Sequence, residues 1–120
     1  MAKASSIGHW GEGMAAEYLR SRRYALVACN YHTRFGEIDI IAQNRHYVVF
    51  VEAKTRQDAR FAQAREFVTN RKQARIRASA QIWLEQHPTE LQPRFDVIEV
   101  YAAHGAATKL PSIRHIEDAF

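Results

Sequence analysis

Three charged residues on two neighbouring apolar segments have the types and spacing to do chemistry: Asp39 in Gly36-Glu-Ile-Asp-Ile-Ile41, and Glu52 and Lys54 in Val48-Val-Phe-Val-Glu-Ala-Lys54. Both segments read as β-strands, rich in Val, Ile and Phe, and the turn residues Asn44-Arg45 between them make a hairpin. Side chains alternate faces along a strand, so Val48, Phe50, Glu52 and Lys54 share one face and Glu37, Asp39 and Ile41 share a face of the other strand. A two-residue turn pairs Gln43 with His46 and leaves Asp39 diagonal to Glu52. A four-residue loop pairs Gln43 with Val48 and sets Asp39 directly opposite Glu52. The two carboxylates are then about 5 Å apart if opposite, or about 7–8 Å if diagonal. Either register brings Asp39, Glu52 and Lys54 to one face.

Two ionised carboxylates this close repel, and they share their face with Ile41, Val48 and Phe50, which favour burial. A hard divalent cation removes the repulsion and takes oxygen ligands, Mg²⁺ keeping several waters. Lys54 beside such an ion can hold a water or hydroxide and neutralise charge developing on a phosphate. Hydrolysis of a phosphodiester is the reaction that suits this set. The competing reading is a solvated ladder of salt bridges on an exposed sheet face, which the apolar neighbours argue against.

The elements that must position these groups follow from periodicity. Residues 7–22 read as a helix with Ile7, Trp10, Met14 and Tyr18 on one face and Ser5 or Ser6 as cap. Residues 24–31, 36–43 and 46–54 read as strands, and 55–67 as a polar loop. A second helix runs from Asn70 to Gln86, with Ile76, Ala80, Trp83 and Leu84 as its apolar stripe and His87-Pro88 ending it. Residues 94–102 alternate as a further strand, and Ile113–Ile116 form a short last one. The order α-β-β-β-α-β-β describes an α/β sandwich with a mixed sheet.

At 120 residues with 47% hydrophobic and 25% charged residues, the chain is expected to form one domain over 1–120. No apolar run is long enough for a transmembrane helix, and the first residues lack a secretory apolar stretch. The expected compartment is the cytoplasm, with no membrane partner. The lone cysteine, Cys29, lies in an apolar run and reads as a buried small hydrophobe. Net charge is +4. The basic residues are mostly arginines, which suit bidentate phosphate contacts, although such a charge is common in proteins without a polyanion partner. The six histidines show no zinc spacing, and there is no Gly-rich phosphate loop.

Gly36-Glu-Ile-Asp-Ile-Ile41 followed by Val49-Phe-Val-Glu-Ala-Lys-Thr-Arg56 closely resembles the YraN family of bacterial endonuclease-like proteins, within the PD-(D/E)xK nuclease superfamily. The resemblance continues through Gly11-Glu12, Ala15, Tyr18-Leu19, Asn30, Lys72, Arg94-Phe-Asp-Val-Ile98 and Ala119-Phe120. It implies a restriction-endonuclease-like α/β sandwich, Asp39 and Glu52 as ligands of Mg²⁺ or Mn²⁺, Lys54 as the catalytic lysine and Glu12 as a further acidic member. Periodicity alone does not choose between Glu12 and Glu17. Ala53 departs from the bulkier β-branched residue usual in the family, and Ile38 stands in place of the proline in the superfamily's name. Neither change removes a ligand. Many junction-cutting nucleases of this superfamily are dimers, so a homodimer is compatible with the resemblance.

Val68, Lys72, Ile76 and Ala80 recur every four residues, which puts a lysine on the buried-facing side at the start of the second helix. Arg71 and Lys72 in a first turn oppose the helix dipole, and a bound anion would reverse that effect. A lysine that snorkels to water is the alternative. Gln73 and Glu37 are secondary candidates for the site. Arg56, Arg60, Arg65, Arg71, Arg75 and Arg77 could supply phosphate contacts or form plain solvated surface. The expected function is metal-dependent hydrolysis of DNA or structured nucleic acid. The alternative is a non-catalytic nucleic-acid-binding or repair-accessory module on the same fold.

Overall fold

The computed structural model of the chain describes residues 5–57 and 68–120. Helix α1 (Ser5–Ser21) leads into strands β1 (Ala25–Thr33), β2 (Gly36–Gln43) and β3 (Tyr47–Arg56). Helix α2 (Asn70–Gln86) then connects to β4 (Gln92–Tyr101), and a 3-10 turn (Gly105–Ala107) precedes β5 (Ser112–Ile116). The five strands form one sheet in chain order. Only β3 and β4 run parallel; every other pair is antiparallel. A parallel pair needs a crossover, and α2 lies within it. This is the mixed α/β sandwich that the element order implied.

Each face of the sheet buries an apolar layer. Ala15, Ala16 and Leu19 of α1 pack on Ile40, Ala42, Val49, Val51, Ile98 and Val100. On the other face Ile76, Ala80 and Trp83 of α2 pack on Ile38, Ile41, Val48, Phe50 and Val97. Strand β3, covered on both sides, accordingly reads as an apolar run from Tyr47 to Val51, whereas β4 buries Arg94, Asp96 and Glu99 among its apolar residues. Trp10 and Tyr18 are half-buried against the first layer, and Phe95 against the second, as their patterns suggested.

The second helix has the expected bounds. Thr69 caps it, its hydroxyl accepting from the Lys72 N–H at 3.1 Å. The expected caps of α1, Ser5 and Ser6, have side chains outside the described residues. Gly11 is the point of closest approach between α1 and β3: a Cβ there would fall 1.9 Å from Thr55 Oγ1. Only glycine lets the helix lie this near the strand, so Gly11 is what brings the neighbouring Glu12 towards the end of the hairpin.

Two expectations are corrected. Thr55 and Arg56 extend β3 instead of beginning a loop, because β4 pairs with them through Val100 and Tyr101. The rest of that loop, from residue 58 to 67 and including Arg60 and Arg65, lies outside the described residues. Cys29 is exposed. It belongs to the edge strand and faces the α1 side, paired with Ile40, but α1 packs chiefly over β3 and leaves this part of β1 uncovered.

Candidate metal and phosphate site

Gln43 pairs with Val48, so the β2–β3 connection is the four-residue loop Asn44–Tyr47. Asn44 closes it with its side chain, Oδ1 accepting the N–H groups of His46 (2.9 Å) and Tyr47 (2.8 Å). This is the register that sets Asp39 against Glu52. The pairing of β2 with β3 ends at Ile40↔Val51, and beyond it the Ala53 N–H donates to Asp39 Oδ2 at 2.8 Å. A carboxylate thus replaces the backbone carbonyl as partner where the strands part, which holds Asp39 in place.

Strict alternation breaks at this point. Ile38 and Ile41 both join the α2-side layer while Ile40 joins the α1 side. Asn30 lies between the pairs Cys29↔Ile40 and Tyr31↔Ile38, in the left-handed region at φ 53°. Asparagine tolerates that conformation better than other non-glycine residues. Asp39 lines two hollows at once. One faces α2 with Glu37 and Glu52, and the other faces α1 with His9, Glu12 and Cys29. Residues from opposite helices therefore meet at one carboxylate.

With its amide nitrogen turned towards the acids, Asn30 donates to Glu12 Oε1 (3.2 Å) and Glu37 Oε2 (2.7 Å). Glu17 instead is exposed and pairs with Arg20 at 3.1 Å, so Glu12 is the helix acid at the site. Glu52, only 5% exposed, holds two lysines through one oxygen: Lys72 Nζ at 2.5 Å and Lys54 Nζ at 3.3 Å from Oε2. Lys72 comes from the first turn of α2 and lines the cleft with Thr69 and Ile76. Arg71 and Arg75 complete a basic wall facing Glu37, Asp39 and Glu52 across a cleft of about 460 Å³.

The electrostatics follow from this crowding. Burial, with the Glu52 charge beside it, pushes the Asp39 carboxyl up to about 7. Burial and the Glu37 and Glu52 charges likewise raise Glu12, against the opposing pull of His9 and Asn30. Burial pushes the Lys54 ammonium down, and Lys72 adds to this while Glu52 opposes it. For Lys72 burial works against the charge, but the Glu52 carboxylate overcomes it and holds the lysine above its ordinary value. Asp39 thus resists ionisation in the folded chain although its ordinary value is 3.8. Its contribution to stability is fully present below about pH 4 and lost as pH rises through about 7. Denaturant titrations of the metal-free protein should show stability declining over this window, and Asp39→Asn should flatten that slope; an unchanged slope would remove Asp39 as its source.

Not every expected residue joins the cleft. Gln73 turns back to donate to the Val68 carbonyl at 2.9 Å and helps fix the helix start. Arg56 faces buried Glu99, Nε to Oε2 3.6 Å, and Arg114 and Tyr101 approach the same carboxylate. Arg77 lies over the rings of Phe95 and Phe120. The Asn30 link between helix and strand acids was not foreseen, and its one trace in the sequence is the asparagine itself. Among the described residues no group of three or more His, Cys, Asp or Glu side chains is clustered as a ready cage for a metal. The donors that could hold one are the carboxylates of Asp39 and Glu52.

Comparison with known proteins is consistent with this site's extent. The model of a family described as "Uncharacterised protein family UPF0102" matches residues 11–100, from Gly11 to Val100. A UPF0102 protein of Alkaliphilus oremlandii is 42% identical over 117 residues, covering 95% of this chain and 97% of its own. One from Syntrophomonas wolfei is 37% identical over 115 residues, covering 95% and 96%. One from Rhodococcus opacus is 38% identical over 121 residues and spans both chains fully.

Proposed function

We propose, for a chain that belongs to the UPF0102 family, the family whose YraN members its hairpin resembles, that the cleft hydrolyses phosphodiester bonds of DNA or structured nucleic acid with Mg²⁺ or Mn²⁺. One observation carries this reading: Asp39, Glu52 and Lys54 converge where β2 and β3 part, opposite a wall of Arg71, Lys72 and Arg75. Anionic oxygens on one side and cations on the other match a metal ion and the phosphate it would engage.

The donor set fits a hydrated ion. Asp39 and Glu52 suit Mg²⁺ or Mn²⁺, which keep waters and bind through one or two acids, and among the described residues no group of three or more His, Cys, Asp or Glu side chains forms a ready cage. Asp39 and Glu52 would hold it. Once bound, such an ion polarises a phosphoryl oxygen and lowers the pKa of a bound water. The residues of this chain do the rest. Lys54 is close enough to Glu52 to orient the attacking water and to neutralise charge building on the phosphate. Arg71 and Arg75 orient the substrate backbone through guanidinium contacts. Glu12, linked to the hairpin through Asn30, adds negative potential behind Asp39.

Lys72 has two duties in this reading. In the metal-free protein its ammonium is the tethered counter-ion of Glu52, and in the loaded site it is displaced towards the substrate phosphate. Lys72→Ala should therefore bind Mn²⁺ more tightly, by roughly fivefold for the loss of a partly exposed ion pair worth about 1 kcal/mol. The same variant should bind a nucleic acid more weakly. Weaker metal binding in this variant would contradict the counter-ion role.

Cleavage of a panel of single-stranded, duplex and branched DNA with Mg²⁺ or Mn²⁺ tests the activity; Glu52→Gln should abolish it and Lys54→Ala should slow it severely. Undiminished activity in both variants would sink the mechanism. Salt-sensitive binding with no turnover in the wild type would select the accessory-module alternative.

A further inference from the structure

We infer that the groove between the end of α1 and the β2–β3 loop is a second phosphodiester contact, gripping the backbone of the same duplex at a distance from the cleft. This rests on the proposed nucleic-acid substrate and extends it to an occupant and a minimum length. The groove has a volume of about 430 Å³ and is lined by Arg22, Arg23, Asn44, Arg45 and His46, with no acidic side chain. Several other arginines are matched, Arg20 with Glu17, Arg94 with Asp96, and Arg56 and Arg114 with Glu99, while Arg34 and Arg77 lie over aromatic rings and Arg71 and Arg75 line the cleft. Among the described residues Arg22, Arg23 and Arg45 pair with no carboxylate. Three guanidiniums gathered in one groove repel one another unless a polyanion lies between them.

The backbone gives a second, independent observation. Helix α1 ends in a Schellman motif, with the Tyr24 N–H donating to the Leu19 carbonyl and the Arg23 N–H to the Arg20 carbonyl, both at 3.0 Å. The residue forced into the left-handed conformation is Arg23, at φ 70°. Glycine is the usual occupant and would relieve the strain. An arginine that occupies this strained position with its charge unpaired by any carboxylate points to use of the side chain. The neighbours are held as well: the Arg22 guanidinium lies 5.2 Å over the Tyr18 ring, and Asn44 fixes the turn that presents Arg45 and His46.

The groove and the cleft lie at opposite ends of the hairpin. His46 and Glu52 are six residues apart on an extended strand, hence about 20 Å. At about 3.4 Å per base pair, that distance corresponds to about six base pairs of duplex. A nucleotide or a free phosphate would fill one site only, whereas a duplex longer than this reaches both.

Fluorescence anisotropy with a duplex of about 20 base pairs, titrated across salt, tests the groove. The Arg22→Glu/Arg45→Glu double variant should bind about tenfold or more weakly, with a slope of log affinity against log salt smaller by about 2. Its Mn²⁺ affinity should be unchanged. Arg23→Gly should melt at a higher temperature and yet bind the duplex more weakly, a combination that a purely structural role would not produce. Unchanged affinity and slope in the double variant, or unchanged binding in Arg23→Gly, would overturn the inference. Arg71→Glu/Arg75→Glu separates the two readings. If that pair leaves duplex binding intact while the groove variants weaken it, the groove contact stands and the cleft's role falls.

Discussion

Lys54→Ala is expected to slow metal-dependent cleavage by roughly 10²–10³-fold while leaving Mn²⁺ affinity within a few-fold of wild type. The magnitude is that of removing one preorganised charge or donor from a developing anion in a water-poor site. Lys54 is suited to the task because it is held without being consumed. Its Nζ is 3.3 Å from Glu52 Oε2, and the same oxygen is taken more closely by Lys72 at 2.5 Å. Two cations share one carboxylate oxygen, so the site contains more positive charge than Glu52 alone can match. A bound phosphate would complete the balance. Lys54 is not among the carboxylate ligands, and the loss therefore belongs in the cleavage step, measured as a single-turnover rate at saturating metal. A fall in metal affinity that accounted for the whole effect would assign Lys54 to metal binding instead.

Arg94→Ala should cost about 3–5 kcal/mol of folding stability, the range for stranding one partner of a buried ion pair. Against a typical total of about 5–15 kcal/mol this would leave much of the protein unfolded at moderate temperature. Asp96 is fully buried and Arg94 is 8% exposed. Arg94 grips Asp96 with two bonds, Nε to Oδ1 at 2.9 Å and Nη2 to Oδ2 at 2.8 Å, and reaches the Tyr24 hydroxyl at 2.7 Å. His115 Nε2 lies 2.6 Å from Asp96 Oδ2, and the Asp118 N–H donates to Oδ1 at 3.0 Å. Burial alone would raise the Asp96 carboxyl, but the bonds from His115 and Arg94 overcome it and hold the acid below its ordinary range. Without the guanidinium, a buried carboxylate would face one imidazole and one N–H. Urea titration of the variant, with Tyr24→Phe as a milder control, checks the size of the loss. A change below about 1 kcal/mol would mean that the network is dispensable.

That network explains why so much of the sequence pattern lies outside the cleft. Arg94-Phe95-Asp96 and Ala119-Phe120 fasten the last strand and the C-terminus. The Ala119 N–H donates to the Phe95 carbonyl at 2.7 Å, and Phe120 stacks on Phe95. These partners are far apart in the chain, so neither spacing nor periodicity could connect Asp96 with His115. Local features were readable. Helix α2 spans the expected Asn70 to Gln86 and stops before His87-Pro88, and the period of Val68, Lys72 and Ile76 carried Lys72 towards the hairpin. The approach of Glu52 and Lys54 needed only the alternation of one strand. What was not readable depended on a backbone irregularity or on coverage. The alternation of β2 breaks around Asp39, beside the left-handed Asn30 of β1, and Asp39 lines hollows towards both helices. Cys29 is apolar in context, yet exposed on the edge strand, where it lines the hollow towards α1. Arg56 resembles a phosphate contact in the sequence, but Glu99 claims it from the adjacent strand.

The central claim is that Asp39 and Glu52 together form a divalent-cation site. Calorimetric titration of Mn²⁺ into the wild type and Asp39→Ala, at pH 8 where the Asp39 carboxyl is largely ionised, tests it most directly. Saturable binding by the wild type that is lost in Asp39→Ala is the predicted result. Equal binding by both proteins, or none by the wild type, would contradict it.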